Sequence, residues 1–182
     1  MPLSVTVGGA KGTFSDQLGG EVARVLDRAF GAEGDWEGVP VRHFGELTVD
    51  LLAELHRRAV EQLGDDAVPN LSGIVGARTG VFLPAHVQAI TLPLSELGPL
   101  HCASLPGLRD ELADLANCWD LPLDDAALLD LLRVVDDPED GPVCEPIEVI
   151  TFARLALAAN EAVRRDCPLW LLDRVPLAVP CG

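Results

Sequence analysis

The sequence predicts an α+β fold: a small mixed or antiparallel sheet built mainly before residue 95, from the N-terminal half, packed with four to five helices, the C-terminal half being mainly helical. Three observations lead there. Short β-branched runs separated by Gly and Pro fill the first half, apolar residues at helical spacing fill the second, and a hydrophobic fraction of 48% against 23% charged supplies a core. A parallel α/β sheet is the alternative. The 182 residues fit one domain over 1–182, strand-rich over 1–95, helical over 96–170, with a short apolar tail over 171–182.

Leu3 to Val7 alternates around β-branched residues and reads as a strand closed by Gly8 and Gly9. From Ser15 to Phe30, Leu18, Val22, Val25, Leu26 and Ala29 fall at helical spacing, with Ser15 or Asp16 as cap and Gly31 as stop. Val39 to Phe44 reads as a second strand. Thr48 caps the next helix, whose stripe is Leu51, Leu52, Leu55, Ala59 and Leu63 and whose end is Gly64. Between Pro69 and Leu94, dense Gly and Pro leave Ile74-Val75, Val81 to Leu83 and Val87 to Leu94 as short strands or a hairpin. Past Leu100 the pattern turns helical. Leu108, Leu112 and Leu115 mark one helix, Asp124 caps a second carrying Leu128, Leu129, Leu132 and Val135, and Ile147 to Arg165 is the longest. Pro168 stops it. Trp36, Trp119 and Trp170 read as core or edge anchors.

Charge bounds the partners. The formal net charge is -16, of which -5 falls in residues 1–91 and -11 in 92–182. Such a chain repels a phosphate backbone, and no basic stripe with interleaved aromatics is present, so nucleic acid is not an expected partner. The same field steers a basic protein toward the surface. A competing cause is genome or salt adaptation, which fits one lysine, no tyrosine and more Asp than Glu. Five cysteines (Cys102, Cys118, Cys144, Cys167, Cys181) form an odd set, which predicts reduced thiols and a cytoplasmic location. Cys118, beside Trp119, reads as a small buried hydrophobe. No basic and apolar leader opens the sequence, and no apolar stretch is long enough to span a membrane.

Several patterns fall short of a known chemistry. Gly73 to Gly80 holds three glycines but neither the lysine of a phosphate loop nor the order of a dinucleotide turn. His101, Cys102, Cys118 and Cys144 lack zinc spacing, and Asp136 to Gly141 lacks the alternation of a calcium loop, so no metal and no cofactor is expected. Cys102 is a candidate nucleophile with His43, His56 or His86 as its base, and His101 is a further candidate residue. Pro2 follows the initiator methionine and opens a strand. That strand and the Ser15 to Phe30 helix are similar to the β-α beginning of the tautomerase superfamily, and this resemblance implies a free Pro2 amine acting as catalytic base. Leu47 to Leu63 resembles the opening helix of Fic and Doc domains, whose H-P-F-x-D-G-N motif is absent.

Acidity and a folded core survive where the catalytic patterns do not. The expected function is that of an acidic intracellular binding protein, an inhibitor or immunity-type protein covering a basic partner surface. Its expected contact residues are Asp110, Glu111, Asp114, Asp124, Asp125, Asp130, Asp136, Asp137, Glu139 and Asp140. The alternatives are a small-molecule enzyme using Pro2 or a thiol or histidine from the Gly73 to Cys102 region, and a structural subunit of a larger assembly.

Overall fold

The computed structural model describes residues 2–31, 39–94, 98–136 and 147–173, with 134–136 described by backbone only. In chain order the elements are β1 (Pro2–Val7), α1 (Ala10–Thr13), α2 (Asp16–Phe30), β2 (Arg42–Thr48), α3 (Val49–Leu63), a 3-10 turn (Asp65–Ala67), α4 (Pro69–Ile74), β3 (Thr79–Leu83), β4 (Ile90–Leu94), β5 (Gly98–Ser104), α5 (Leu105–Trp119), α6 (Asp125–Asp136), α7 (Ile147–Arg164) and β6 (Leu169–Asp173). The fold is α+β, with a six-stranded mixed sheet in the order β2-β1-β6-β3-β5-β4. Strands β3 and β5 run parallel, Gly80 opposite His101 and Leu83 opposite Ser104, while the other pairs are antiparallel.

Both faces of the sheet are covered. Leu3, Val5, Val7, Phe82, Leu169 and Leu171 face the larger core, under α3, α4, α5 and α7, with α6 packed on α7. Val81, Leu83, Cys102, Trp170 and Leu172 face the smaller one, against Phe14, Leu18, Val22 and Leu26 of the α1–α2 layer. A strand with dry faces on both sides loses the apolar-polar alternation that marks a half-exposed strand. Leu169-Trp170-Leu171-Leu172 is such a run. Four of the six strands, β1 to β4, lie before residue 95 as expected; β5 and β6 come later, within the part expected to be helical and at the start of the apolar tail, and β6 takes a central place in the sheet.

Local chemistry explains most other boundaries. Thr48 Oγ1 accepts the Leu51 N–H at 3.2 Å and Asp124 Oδ1 accepts the Ala127 N–H at 3.0 Å, so these two expected caps are in place, whereas Ser15 stands at the start of α2 without a side-chain cap bond. Leu52, Leu55 and Ala59 are buried, while Leu51 and Leu63 are half-buried at the edges of the α3 stripe. Pro69 opens α4, where its missing N–H costs nothing, and Ile74 ends that helix rather than forming a strand. The second strand begins at Arg42, three residues later than expected. Helices α1 and α4 are too short to show a periodic stripe, which raises the number above the expected four to five. Trp170 is fully buried and Trp119 packs edge-on against Phe152 at 6.1 Å, while Trp36 lies outside the described residues. No helix among the described residues is long and apolar enough to cross a membrane.

Trp170 joins the layers: its ring meets Phe14 at 5.2 Å and 89°, and its Nε1–H donates to Gly8 O at 2.8 Å. Trp170→Ala should lower stability by about 3–5 kcal/mol. Trp170→Phe should lower it by about 1–3 kcal/mol, because it leaves the Gly8 carbonyl without its partner. Urea unfolding of both variants checks the order; a Trp170→Phe variant as stable as the wild type would show that the indole N–H contributes nothing.

Candidate functional site

The parallel pair ends at Leu83 and Ser104, and a cleft of about 430 Å³ opens just beyond these carboxyl ends. One wall is the segment after β3, with His86, Gln88 and Ala89; the other is the start of α5, with Ser104 and Gly107; Asn70 lies between them. Ser104 Oγ caps α5 by accepting the Gly107 N–H at 3.0 Å. Asn70 Oδ1 accepts the Ser104 N–H at 2.9 Å, and Asn70 Nδ2 donates to Glu111 Oε1 at 2.8 Å. Glu111 also accepts the N–H groups of Asn70 at 2.7 Å and Leu71 at 2.9 Å, capping α4 from a neighbouring helix. Two glycines allow the close packing. A Cβ on Gly107 would collide with the Asn70 amide, and one on Gly73 would lie 2.6 Å from the Ala89 methyl.

Glu111 was expected on the acidic surface, and that expectation is corrected: it is 4% exposed and turns inward. The signal was present in the spacing, since 111 falls on the same helical face as Leu108, Leu112 and Leu115. Burial pushes its carboxyl above the ordinary value of 4.5, against the pull of the three N–H donors. A raised carboxyl holds its proton more tightly in the folded chain. Its contribution to stability is therefore largest below the ordinary value and falls as pH rises through the shifted one.

The three candidate catalytic residues do not form one site. Pro2 is half-buried at the first position of β1, opposite Thr48. His101 and Cys102 are neighbours on a strand and so point to opposite faces. His101 Nδ1 lies 3.3 Å from Thr91 Oγ1, whereas the Cys102 thiol is fully buried under α2, where burial pushes it up to about 12. Such a thiol stays protonated at neutral pH and is a poor nucleophile. Cys118, expected to be buried, is exposed because it falls off the Leu108-Leu112-Leu115 stripe. Among the described residues, no group of three or more His, Cys, Asp or Glu is placed to hold a metal ion.

The remaining acidic residues gather on the helical side. Asp110, Asp114, Asp124 and Asp130 are exposed, with Asp130 3.4 Å from Arg133. Asp125 is half-buried: burial raises its carboxyl, but the Arg164 guanidinium and the Asn160 amide outweigh this and hold it below the usual range. Asp136 ends α6, and Asp137, Glu139 and Asp140 lie outside the described residues. Behind this face Glu161 is buried and binds Arg42 and Arg164, each at 2.6 Å, tying β2 to α7; Arg164 continues to Asp125 on α6. A groove of about 390 Å³ runs between α5, the start of α6, and α7. It combines the apolar side chains Leu123 and Val163, 39% and 37% exposed, with Arg109, Asp124, Asp125 and Asn160.

No known protein family and no solved structure matches the chain. It is similar to the glycine--tRNA ligase of Mycobacterium bovis, 29% identical over 122 residues, which span 65% of this chain and 24% of that protein. The chain thus spans about a quarter of the length of this relative.

Two measurements check the local chemistry. Glu111→Gln should lower stability by about 1–3 kcal/mol, because its amide donor would face the Leu71 N–H. The deficit should narrow as pH rises from about 4.5, since only the wild-type carboxyl loses stability over that range. Iodoacetamide should modify Cys118 in the folded protein and spare Cys102 until denaturant is added; rapid native labelling of Cys102 would contradict its burial.

Proposed function

We propose that this chain is a protein-binding module of the inhibitor or immunity type, and that it covers a basic surface of its partner with the α5–α6–α7 side. The observation that carries this reading is the groove holding Leu123 and Val163. These are apolar side chains left in water beside carboxylates, the combination of an apolar centre and charged rim from which protein interfaces are built. Asp110, Asp114 and Asp130 extend the negative rim along α5 and α6. The charge of the chain favours a partner of opposite sign. The enzyme alternative has less to support it, because the Cys102 thiol is buried and protonated and His101 faces away from it.

Rim and centre make separable contributions. Replacing Asp110, Asp114 and Asp130 together by Asn should slow association several-fold at low salt, leave dissociation nearly unchanged and leave the melting midpoint in place. The difference should shrink as the Debye length falls from about 10 Å at 0.1 M to about 3 Å at 1 M salt. Leu123→Ser should act on dissociation, weakening the complex about tenfold. Rates against the partner recovered from the source cells, measured across a salt series, test both. Binding indifferent to both sets of substitutions would remove this face from the interface, and a permanent multi-subunit complex would favour a structural subunit.

A further inference from the structure

The cleft beyond β3 and β5 is separate from the groove proposed for the protein partner, and its floor has an unusual hydrogen-bonding balance. Two polar side chains line it from buried positions, Asn70 and Ser104. Their oxygens are engaged: Asn70 Oδ1 accepts the Ser104 N–H and Ser104 Oγ accepts the Gly107 N–H. Their hydrogens are not all engaged. One hydrogen of Asn70 Nδ2 goes to Glu111, and neither the second nor the Ser104 hydroxyl hydrogen has an acceptor among the described residues. The orientation of the Asn70 amide is fixed by its neighbours, since the Ser104 N–H needs an oxygen and the Glu111 carboxyl needs a donor. The floor therefore offers donors to whatever enters.

The walls add apolar surface from Val87 and Ala89, with His86 and Gln88 exposed at the rim. The volume of about 430 Å³ lies in the range of roughly 300 to 1,000 Å³ usual for small-molecule sites. The position outside the carboxyl ends of parallel strands is where open sheets bind ligands. An anion would meet Glu111 one hydrogen bond away and a chain of net charge -16, so a neutral acceptor fits better. We propose that this cleft binds a small neutral molecule with an apolar body and a carbonyl oxygen at one end, an amide or a ketone, whose oxygen takes the free hydrogens of Asn70 and Ser104.

Acetanilide and N-ethylaniline share an apolar body and differ in the carbonyl, so they isolate that oxygen. Titration of the ¹⁵N-labelled chain with acetanilide should shift the amides of Ala89, Ser104 and Gly107 and the Asn70 side-chain amide in a saturable way. N-ethylaniline and benzoate should each bind at least about tenfold more weakly. Ala89→Leu should crowd the cleft and abolish the shifts, with folding read from the rest of the spectrum because the Ala89 methyl also packs on Gly73. Ser104→Ala should weaken acetanilide but not N-ethylaniline, with folding read from the same spectrum because the substitution also removes a helix cap. Absence of saturable shifts, equal binding of acetanilide and N-ethylaniline, tighter binding of benzoate, or shifts centred on Leu123 and Val163 would each overturn the proposal. None of these outcomes depends on whether the protein partner exists.

Discussion

Strand β6 has to be dry on both faces and hydrogen-bonded along both edges, and the rest of the molecule is arranged to satisfy it. It lies between β1 and β3, joining the β1–β2 pair to the β3–β5–β4 group. Its odd residues enter one core and its even residues the other, so neither layer of helices can be removed without exposing large side chains of this strand. Burying four consecutive large apolar residues is favourable only if every backbone N–H and C=O finds a partner, and two flanking strands supply them. The short α1–α2 layer and the larger α3–α7 layer are two answers to one requirement.

Elements with one wet face were legible in the sequence, and elements without one were not. Helices α2, α3, α5 and α6 follow apolar stripes, α7 was legible from the length of its apolar run although it is buried nearly all round, and Thr48 and Asp124 announce their helices by cap chemistry. Strand β6 shows no alternation because it has no wet face, and β5 hides behind Pro99, His101 and small residues. The same contrast divides the two clefts. Asp110, Asp114, Asp124 and Asp130 could be read as surface because acidic residues are seldom buried. The Asn70–Ser104–Glu111 network could not, since it joins residues up to 41 positions apart, and the stripe position of Glu111 was its single visible trace.

The acidic composition serves two different ends. Glu111 and Glu161 are spent inside, one on the N–H groups of a helix start and the other on arginines from β2 and α7. Removing either partner of such a buried pairing leaves a charge or donor stranded, which costs far more than an exposed pair contributes. Apart from Asp124, which caps α6, the exposed aspartates Asp110, Asp114 and Asp130 carry no such duty and are free to be tuned by what the surface meets. Formal charge alone therefore overstates the electrostatics available at the surface.

The register of β1 against β6 sets Leu3 beside Asp173 and Val7 beside Leu169, contacts that span nearly the whole described chain. During synthesis on the ribosome the first strand emerges long before its neighbour exists, and the sheet cannot be joined until the residues of β6 have left the exit tunnel. Pairings so distant in sequence close slowly, and until they close the strands on both sides present unpaired edges. Until β6 arrives, the strands already made are open to wrong partners. The chain's abundant like charges, which hold nascent copies apart, offset that exposure.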